Sequence, residues 1–336
     1  MDAITVPEDR YRAFVKALTA LKVPAEQEAT THSFKWIGTS DDLANSYLAI
    51  VAICHQTSPV GERRLEGWIE GQQKFGWDYL KEKYLLAALA DRKWSEPSFW
   101  VELSPEDLGN LFDDAKVGRT LNRINERALL LNDVGKRLLQ AHYKYIRQGF
   151  EEHRCRLTGH SGFENFLSSL YAYRDPVMKK TLFFMSLAVK ECGWKLADPA
   201  DLRSPVDYHE LRGHLRIGTV AVNDPALRRK IERGLVLTEK EDTHLRRKVQ
   251  EVNDKASAEA GITSSVMHYL CWNIFRNCCP RPSDKTHCSE CGPQCKLPQQ
   301  YKDMPGYKGH CVFTSACSSA NKPTKVIDPP YAGDFY

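Results

Sequence analysis

Helical periodicity runs through almost the whole sequence and constrains the fold more than any other feature. The motif Pro7-Glu8-Asp9 is typical of a helix start, and apolar residues follow it at helical spacing: Tyr11, Phe14, Val15, Leu18 and Leu21. Residues 41–54 (DDLANSYLAIVAIC) are apolar on nearly every side, as expected of a buried central helix. No alternation of apolar and polar residues lasts long enough to predict a sheet. The sequence therefore predicts an all-α protein.

Three later segments support this fold class. Ser104 is placed to cap a helix that has Pro105 in its first position. Residues 121–150 have the apolar stripe of one long amphipathic helix, or of two. Thr238 and Glu241 have the spacing of a capping box ahead of a charged helix.

Length, hydropathy and charge limit the class of protein. A chain of 336 residues with 42% hydrophobic content is long enough for one large domain or two ordinary ones. Its mean hydropathy is −0.48, and no apolar run approaches the ~20 residues that a membrane span needs. The N-terminal segment lacks the apolar core of a secretory signal, so we expect a cytoplasmic protein, or a nuclear one in a eukaryote. The formal charge of +4 permits a nucleic-acid partner without requiring one.

Cysteine spacing is the strongest chemical signal. Eight of the 11 cysteines lie between Cys271 and Cys317, and four form the pattern Cys279-x8-Cys288-x2-Cys291-x3-Cys295. A Cys-x2-Cys turn lets two thiolates bind one metal, and clustered thiols in a reducing compartment favour metal over disulfides. The pattern predicts a four-cysteine metal loop and leaves [4Fe–4S] and zinc as alternatives. Further candidate ligands are Cys278, Cys311 and Cys317, with His287 and His310 for mixed zinc ligation.

Three polar segments, each taken alone, predict ordinary structure. Pro205 is expected to begin a helix with Asp207 in its first turn, where a carboxylate satisfies free N–H groups. Residues 173–181 (YRDPVMKKT) predict a turn and a helix start with two solvated lysines. Residues 55–59 (HQTSP) are expected to end the buried helix as a polar C-terminal turn.

In order along the chain, however, five segments resemble the helix-hairpin-helix DNA glycosylase superfamily, nearest to the iron–sulfur branch of endonuclease III and the adenine glycosylases. They are YLAIVAICHQTS (47–58), LSPEDLGNLF (103–112), RDPVMKKT (174–181), PVDYHELRGHLRIG (205–218) and HYLCWNIFRNCC (268–279). The first resembles the family's helix that ends in a Gln-x-Thr-like motif, the third its hairpin, and the fourth its catalytic-Asp segment. The resemblance extends over roughly residues 40 to 295.

This resemblance implies a domain organisation. Residues 1–40 would be an N-terminal helical extension, and residues 41–277 a two-lobed helix-hairpin-helix glycosylase domain. A cysteine-rich metal-binding loop would follow at 278–317, before a tail at 318–336. The implied cofactor is a [4Fe–4S] cluster, with zinc as the alternative, and its ligands would be Cys279, Cys288, Cys291 and Cys295.

The resemblance also implies an activity. A monomeric enzyme would flip the target nucleotide out of double-stranded DNA and excise its base. Asp207 would stabilise the oxocarbenium-like transition state or activate water, leaving an abasic site. Lys180 aligns with the Schiff-base lysine of members with lyase activity, although we expect a monofunctional enzyme. The residues expected to contact DNA or the base are His55, Gln56, Lys179, His209, Arg212 and Arg276.

The hairpin segment departs from the family pattern. Pro176 and Met178 stand in place of two glycines that normally bring backbone N–H groups close to a phosphate. This departure suits one alternative, a queuosine-type salvage glycohydrolase that cleaves a free nucleoside or nucleotide. A non-catalytic nucleic-acid-binding protein is the other alternative.

Overall fold

The computed structural model describes residues 2–24, 34–59, 62–279 and 295–322, together with the single residues 326 and 333. Within these ranges it contains fourteen α-helices and four short strands, in agreement with the predicted all-α class. None of these helices is long and apolar enough to cross a membrane. Contacts divide the chain into two compact units. One comprises residues 34–202, and the other combines residues 2–24 with the described part of 203–333.

The elements follow in chain order. Residues 2–24 contain β1 (Ile4–Thr5) and α1 (Glu8–Ala20). Residues 34–202 contain α2 (Ser40–Ala52), β2 (Glu66–Ile69), β3 (Gln72–Phe75), α3 (Trp77–Ala90), α4 (Pro97–Glu102), α5 (Pro105–Leu111), α6 (Ile124–Gln140), α7 (Ile146–Glu152), α8 (Phe163–Ser169) and α9 (Lys179–Glu191). Short 3-10 turns cover Arg92–Ser95, Tyr171–Tyr173 and Pro199–Asp201. From residue 203 onward the elements are α10 (Tyr208–Ile217), β4 (Ala221–Val222), α11 (Pro225–Arg233), α12 (Glu239–Ala260), α13 (Ser264–Cys278) and α14 (Gln299–Lys302).

The helix α2 is the centre of the unit 34–202. Thr39 caps it by accepting a hydrogen bond from the Asp42 backbone N–H at 3.1 Å, and every residue from Asp42 to Ala52 is buried. The helix packs against α3, α6, α7 and α9. Because it is surrounded on all sides, it has no polar face, and the prediction of a buried central helix is confirmed.

Other predicted helices also form. The caps at Ser104 and Thr238 are present, each in a reciprocal capping box with Asp107 or Glu241. For residues 121–150 the sequence left open one long amphipathic helix or two. The structure has two helices there, α6 and α7.

The expectation that no sheet forms is wrong for two short ladders. β2 and β3 form an antiparallel hairpin in which Glu66 pairs with Phe75, and β1 pairs with β4. Strands of two to four residues are too short for a period-two pattern to stand out, and β3 (QQKF) is mostly polar. The hairpin packs closely against α3. The Tyr79 ring of α3 lies so near Gly67 of β2 that a Cβ at that position would collide with it.

The second unit is built around α10, α12 and α13. The helix α10 packs against both α12 and α13, and α1 packs against α12. Tyr11, Phe14 and Leu18 of α1 are buried in the core of this unit. Residues 2–24, predicted as part of an N-terminal extension, therefore supply part of that core.

The start of α10 differs from the prediction. The helix begins at Tyr208 rather than at Pro205, so Asp207 is its N-cap residue and not a first-turn residue. Asp207 has an extended backbone, and from this position its side chain reaches the free N–H groups of the first turn.

The predicted tail begins with ordered contacts. Ser318 and Ser319 donate their backbone N–H groups to the carbonyl groups of Ile217 and Arg216, at 3.0 and 3.2 Å. The first residues of the segment 318–336 are thus attached to the end of α10, and most of the remainder lies outside the described residues.

Gly213→Ala tests the close approach of α10 to α13. A Cβ at Gly213 would collide with the Phe275 ring, so we expect the free energy of unfolding to fall by about 1–3 kcal/mol, the cost of overpacking a core. Gly109→Ala in α5 is the matched control, because its added Cβ meets only the movable Arg119 guanidinium. Urea unfolding measures both variants, and equal midpoints would contradict the close approach.

Candidate functional site

Asp207 is held at the N-terminus of α10 by reciprocal hydrogen bonds. Its Oδ1 accepts from the backbone N–H groups of His209 and Glu210, at 2.7 and 3.2 Å. In return, Glu210 Oε2 accepts from the Asp207 backbone N–H at 3.0 Å. Asp207 is 7% exposed. The carboxylate therefore has one defined orientation, at a helix end that favours negative charge.

The second oxygen of Asp207 is differently placed. Within the part of the chain that the structure describes, both hydrogen bonds to the side chain end on Oδ1, and Oδ2 accepts none. One oxygen thus fixes the side chain while the other stays available for a ligand.

The segment before α10 is tied to α12. The Ser204 N–H donates to Asp254 Oδ1 at 2.9 Å, and Gln250 Nε2 donates to the Ser204 carbonyl at 2.9 Å. Val206 is fully buried. The residues before Asp207 are therefore held by hydrogen bonds to α12, and Asp207 itself is held by the first turn of α10.

Glu210 lies behind Asp207 in a fully buried position. Its Oε1 is 3.1 Å from His268 Nδ1 on α13 and 3.4 Å from Asn253 Nδ2 on α12. Burial is the main cause that raises the pKa of Glu210 to about 7. Glu210 was not among the predicted site residues, although its spacing of three from Asp207 is that of a capping box. His268 and Asn253 have no comparable signal, because only the packing of three helices brings them together.

Two predicted DNA contacts near Asp207 have different surroundings. Arg212 is buried, and its guanidinium donates to the Phe275 carbonyl at 3.1 Å and lies 2.9 Å from His209 Nδ1. This burial favours a structural role for Arg212 over the predicted DNA contact. His209 is partly exposed, with its ring beside Tyr208. His209 therefore stays a candidate for a DNA or base contact.

Arg276, the third predicted contact in this unit, lies on α13. Its guanidinium sits 4.6 Å from the centre of the Trp272 ring, and the residue is partly exposed. This arrangement leaves part of the cation accessible, as a phosphate contact requires.

The remaining predicted residues belong to the other unit, at the end of α2. His55 lies in the turn predicted at the end of the buried helix, and its side chain is fully buried. Its Nε2 lies 2.9 Å from Glu126 Oε1, although the two groups are not aligned as a hydrogen bond. Burial, and then the charges of Arg127 and Lys180, hold the pKa of His55 well below its usual range. The imidazole is therefore neutral.

The prediction of two solvated lysines is wrong. Lys180 is fully buried, and its Nζ donates to the Ala52 carbonyl at 2.6 Å. Lys179 is 7% exposed, with its Nζ 3.4 Å from Cys54 Sγ. Lys180 supplies a donor to the end of α2, whose last carbonyl groups have no partners within their own helix.

A third cation completes the end of α2. The Arg127 guanidinium is fully buried and donates to the carbonyl groups of Ile53 and His55, the latter at 2.8 Å. No local pattern distinguishes this arginine from the solvated residues expected on the amphipathic helix α6.

Three turns near this helix end have left-handed backbones without glycine. Gln56, Arg123 and Met178 have φ angles of 45°, 52° and 58°. Met178, for which the resemblance implies a glycine, adopts the left-handed conformation that glycine favours. Asp175 supports the turn by accepting from the Lys179 backbone N–H at 2.9 Å. The backbone turn thus forms although the glycine is missing.

The side chain of Gln56 is held beside an open groove. Its Oε1 accepts from Arg123 Nη1 at 3.1 Å. The groove has a volume of about 440 Å³ and is lined by the start of α6: Leu121, Arg123, Ile124, Asn125 and Glu126. Gln56 is therefore held next to a surface that carries both a positively charged side chain, Arg123, and a negatively charged one, Glu126.

Five cysteines of the predicted metal loop lie within the described ranges and share one region of the core. Cys279, Cys295 and Cys311 are buried in the same hydrophobic cluster, with Cys278 and Cys317 packed against it. Cys288 and Cys291 lie outside the described residues.

The thiols at the end of α13 interact with one another and with arginine. Cys279 lies within electrostatic range of Cys311 and of the Arg216 guanidinium, and Cys317 Sγ donates to the Arg216 carbonyl at 3.4 Å. Burial raises the pKa of Cys279 to about 12, and a bound metal would displace that proton because the ligand is the thiolate. Soft thiols beside a cation suit a negatively charged metal–thiolate group. In the described ranges alone, no three Cys, His, Asp or Glu side chains converge as a metal site.

Comparisons with known proteins add no family assignment. No protein-family model matches the chain, and no curated protein matches it. The resemblance to helix-hairpin-helix glycosylases therefore rests on the five segments quoted above. Of the predicted residues, Asp207, His209, Arg212 and Arg276 fall in one unit, and His55, Gln56, Lys179 and Lys180 fall in the other.

Lys180→Met tests the structural role of the buried lysine. The variant keeps the apolar stem but leaves the Ala52 carbonyl without its donor, so the free energy of unfolding should fall by about 1–3 kcal/mol. Lys190→Met, at an exposed position of the same helix, is the control. Chemical unfolding of the three proteins provides the measurement. A Lys180→Met protein as stable as the control would show that the buried contact contributes nothing.

His55 predicts a specific pH dependence of stability. Its pKa is depressed in the folded state, so as the pH falls below the unfolded value of 6.5 the unfolded chain takes up the proton first. The contribution of neutral His55 to the free energy of unfolding is therefore present above pH 6.5 and is lost as the pH falls below it. Between about pH 7 and pH 5 the melting temperature should fall less in His55→Gln than in wild type or in the exposed control His160→Gln. Parallel curves for all three proteins would contradict this assignment.

Proposed function

We propose that this protein is a DNA N-glycosylase that flips a damaged or modified base out of double-stranded DNA and excises it by hydrolysis. The observation that carries the proposal is the state of Asp207 at the N-cap of α10. One carboxylate oxygen is bound by the helix and the other accepts no hydrogen bond from the described residues. The resemblance of five segments, in order along the chain, supports the same residue, because it implies that Asp207 is the catalytic carboxylate.

The chemistry suits a carboxylate fixed in this way. Breaking an N-glycosidic bond builds positive charge on the sugar, and a preorganised carboxylate stabilises that charge without reorganising. The same oxygen can instead accept a proton from the attacking water. In either case Asp207 Oδ2 is the reacting atom and Oδ1 keeps the side chain in place. The product is an abasic site.

The lysines favour a monofunctional enzyme. A Schiff-base nucleophile needs a free amine that reaches the sugar. Lys180 Nζ is bound to the Ala52 carbonyl in a fully buried position, and Lys179 Nζ lies against Cys54. We therefore assign hydrolysis rather than lyase chemistry.

The cysteine-rich segment would brace the DNA-binding surface. In this proposal Cys279, Cys288, Cys291 and Cys295 would hold a [4Fe–4S] cluster or zinc, which supplies a structural crosslink between the end of α13 and the following segment. Arg216, at the Cys279 thiol, offers positive charge to such an anionic group. Exposed or partly exposed cations, among them Arg276 and Lys296, would contact phosphates.

Mass spectrometry of bases released from a panel of damaged and modified DNA duplexes tests the activity. Wild type should release one base or a related group of bases, whereas Asp207→Asn should be slower by about 100-fold or more. Asp224→Asn is the matched control, because Asp224 is also an N-cap aspartate, accepting from the Ala226 N–H at 2.8 Å on exposed α11. It should retain full activity.

Two results would contradict the proposal. Equal release by wild type and Asp207→Asn would remove Asp207 from the reaction. No release from any duplex, together with cleavage of a free modified nucleoside, would favour the salvage glycohydrolase instead.

The metal loop generates a separate prediction. Cys288→Ser should lose bound metal and DNA affinity together, since the crosslink positions the phosphate contacts. DNA affinity of the wild type should also fall steeply with salt. Elemental analysis and gel-shift titration measure the two properties, with Cys155→Ser as the control because Cys155 lies outside the cysteine-rich region. Full DNA affinity in a metal-free Cys288→Ser protein would exclude this role.

A further inference from the structure

A chain of buried polar groups runs from the backbone of Asp207 into the core of its unit. Glu210 Oε2 accepts from the Asp207 N–H, and Glu210 Oε1 contacts His268 Nδ1 and Asn253 Nδ2. All three of these side chains are at most 5% exposed. They come from α10, α13 and α12, so the network joins the three helices that form the core.

Comparison with another capping box shows what is unusual about Glu210. Thr238 and Glu241 form the same reciprocal box at the start of α12. There the acid is near the surface and is bound by Lys230 Nζ, at 2.7 and 2.9 Å. A partly exposed glutamate is thus sufficient to complete a capping box. Burying one costs solvation free energy, and a capping role alone does not explain that cost.

We propose that Glu210 and His268 are positioning residues for Asp207: Glu210 fixes the Asp207 backbone from inside the unit, and His268 holds Glu210 in the required place. The inference rests on the proposed glycosylase function, because it assigns the pair to the reaction of Asp207. Neither side chain touches the substrate. Their effect is to aim Asp207 Oδ2 while Oδ1 stays bound to the first turn of α10.

The charges around Glu210 make this arrangement sensitive to pH. The titratable groups that face it are Asp207 at the start of its own helix, and His268 and Cys271 on α13, while α12 presents the neutral amide of Asn253. With its pKa raised to about 7, Glu210 changes protonation state near neutral pH. The negative charge of Glu210 next to Asp207 is therefore gained or lost within the pH range in which the enzyme would work.

The test compares Glu210→Gln and His268→Asn with the matched control Glu241→Gln. The first readout is single-turnover base release against pH. Wild type and Glu241→Gln should show an ionisation near pH 7 that Glu210→Gln lacks. The maximal rate should fall about tenfold or more in both network variants with DNA affinity unchanged, because misaligning a reacting group slows the chemical step rather than binding.

The second readout needs no activity. Hydrogen–deuterium exchange of the peptide 205–215 reports whether the N–H groups that bind Asp207 are still protected. Exchange there should rise about tenfold or more in both network variants and stay at the wild-type level in Glu241→Gln. This measurement also keeps the proposal testable if one variant is too unstable for kinetics.

The outcomes separate this inference from the proposed function. If no DNA is a substrate for wild type, the glycosylase proposal fails, and the assignment of the pair to that reaction fails with it. If wild type is active, unchanged exchange in both network variants overturns the positioning role alone. Faster hydrogen–deuterium exchange of the peptide 205–215 with an unchanged rate and pH profile of base release also overturns the positioning role. In that case Glu210 and His268 would stabilise the helix start without affecting the reaction.

Discussion

The hydrogen bonds between Asp207 and the first turn of α10 are the constraint on which the rest of the candidate site depends. They fix one carboxylate oxygen, and the backbone of Asp207 is fixed in turn by Glu210 and by the attachment of Ser204 to α12. A carboxylate that is rigid before the substrate arrives can stabilise developing charge at no further cost. The buried network behind it has a further effect, because it links this helix end to the packing of α12 and α13.

In the unit of residues 34–202, the main constraint is the buried end of the central helix α2. This helix ends inside the protein, where unpaired carbonyl groups would be costly. Lys180 and Arg127 supply the missing donors, and burial, followed by the charges of these two residues, lowers the pKa of His55. Cations that a sequence would assign to solvent or to DNA are thus used within the fold. A buried cation is therefore a poor guide to a DNA contact in this protein.

Much of the fold was predictable from the sequence, and the reasons are local. Helix starts at Ser104 and Thr238 follow from capping chemistry, and the buried α2 follows from its uniform apolar composition. The β2–β3 hairpin was missed because four residues are too few to show a period. Asp207 was predicted in the first turn of a helix beginning at Pro205, whereas it is the N-cap of a helix that begins at Tyr208. Contacts such as Glu210 with His268 depend on helices far apart in the chain, and no local pattern indicates them.

Chemical rescue tests the central claim most directly. Asp207→Gly removes the carboxylate and leaves space where a small carboxylic acid can bind. If Asp207 acts through its carboxylate, formate should restore part of the base release by Asp207→Gly in a concentration-dependent way, and chloride at equal ionic strength should not. No recovery with formate, in a folded protein that still binds the substrate duplex as tightly as wild type, would contradict a carboxylate at this position as the reacting group.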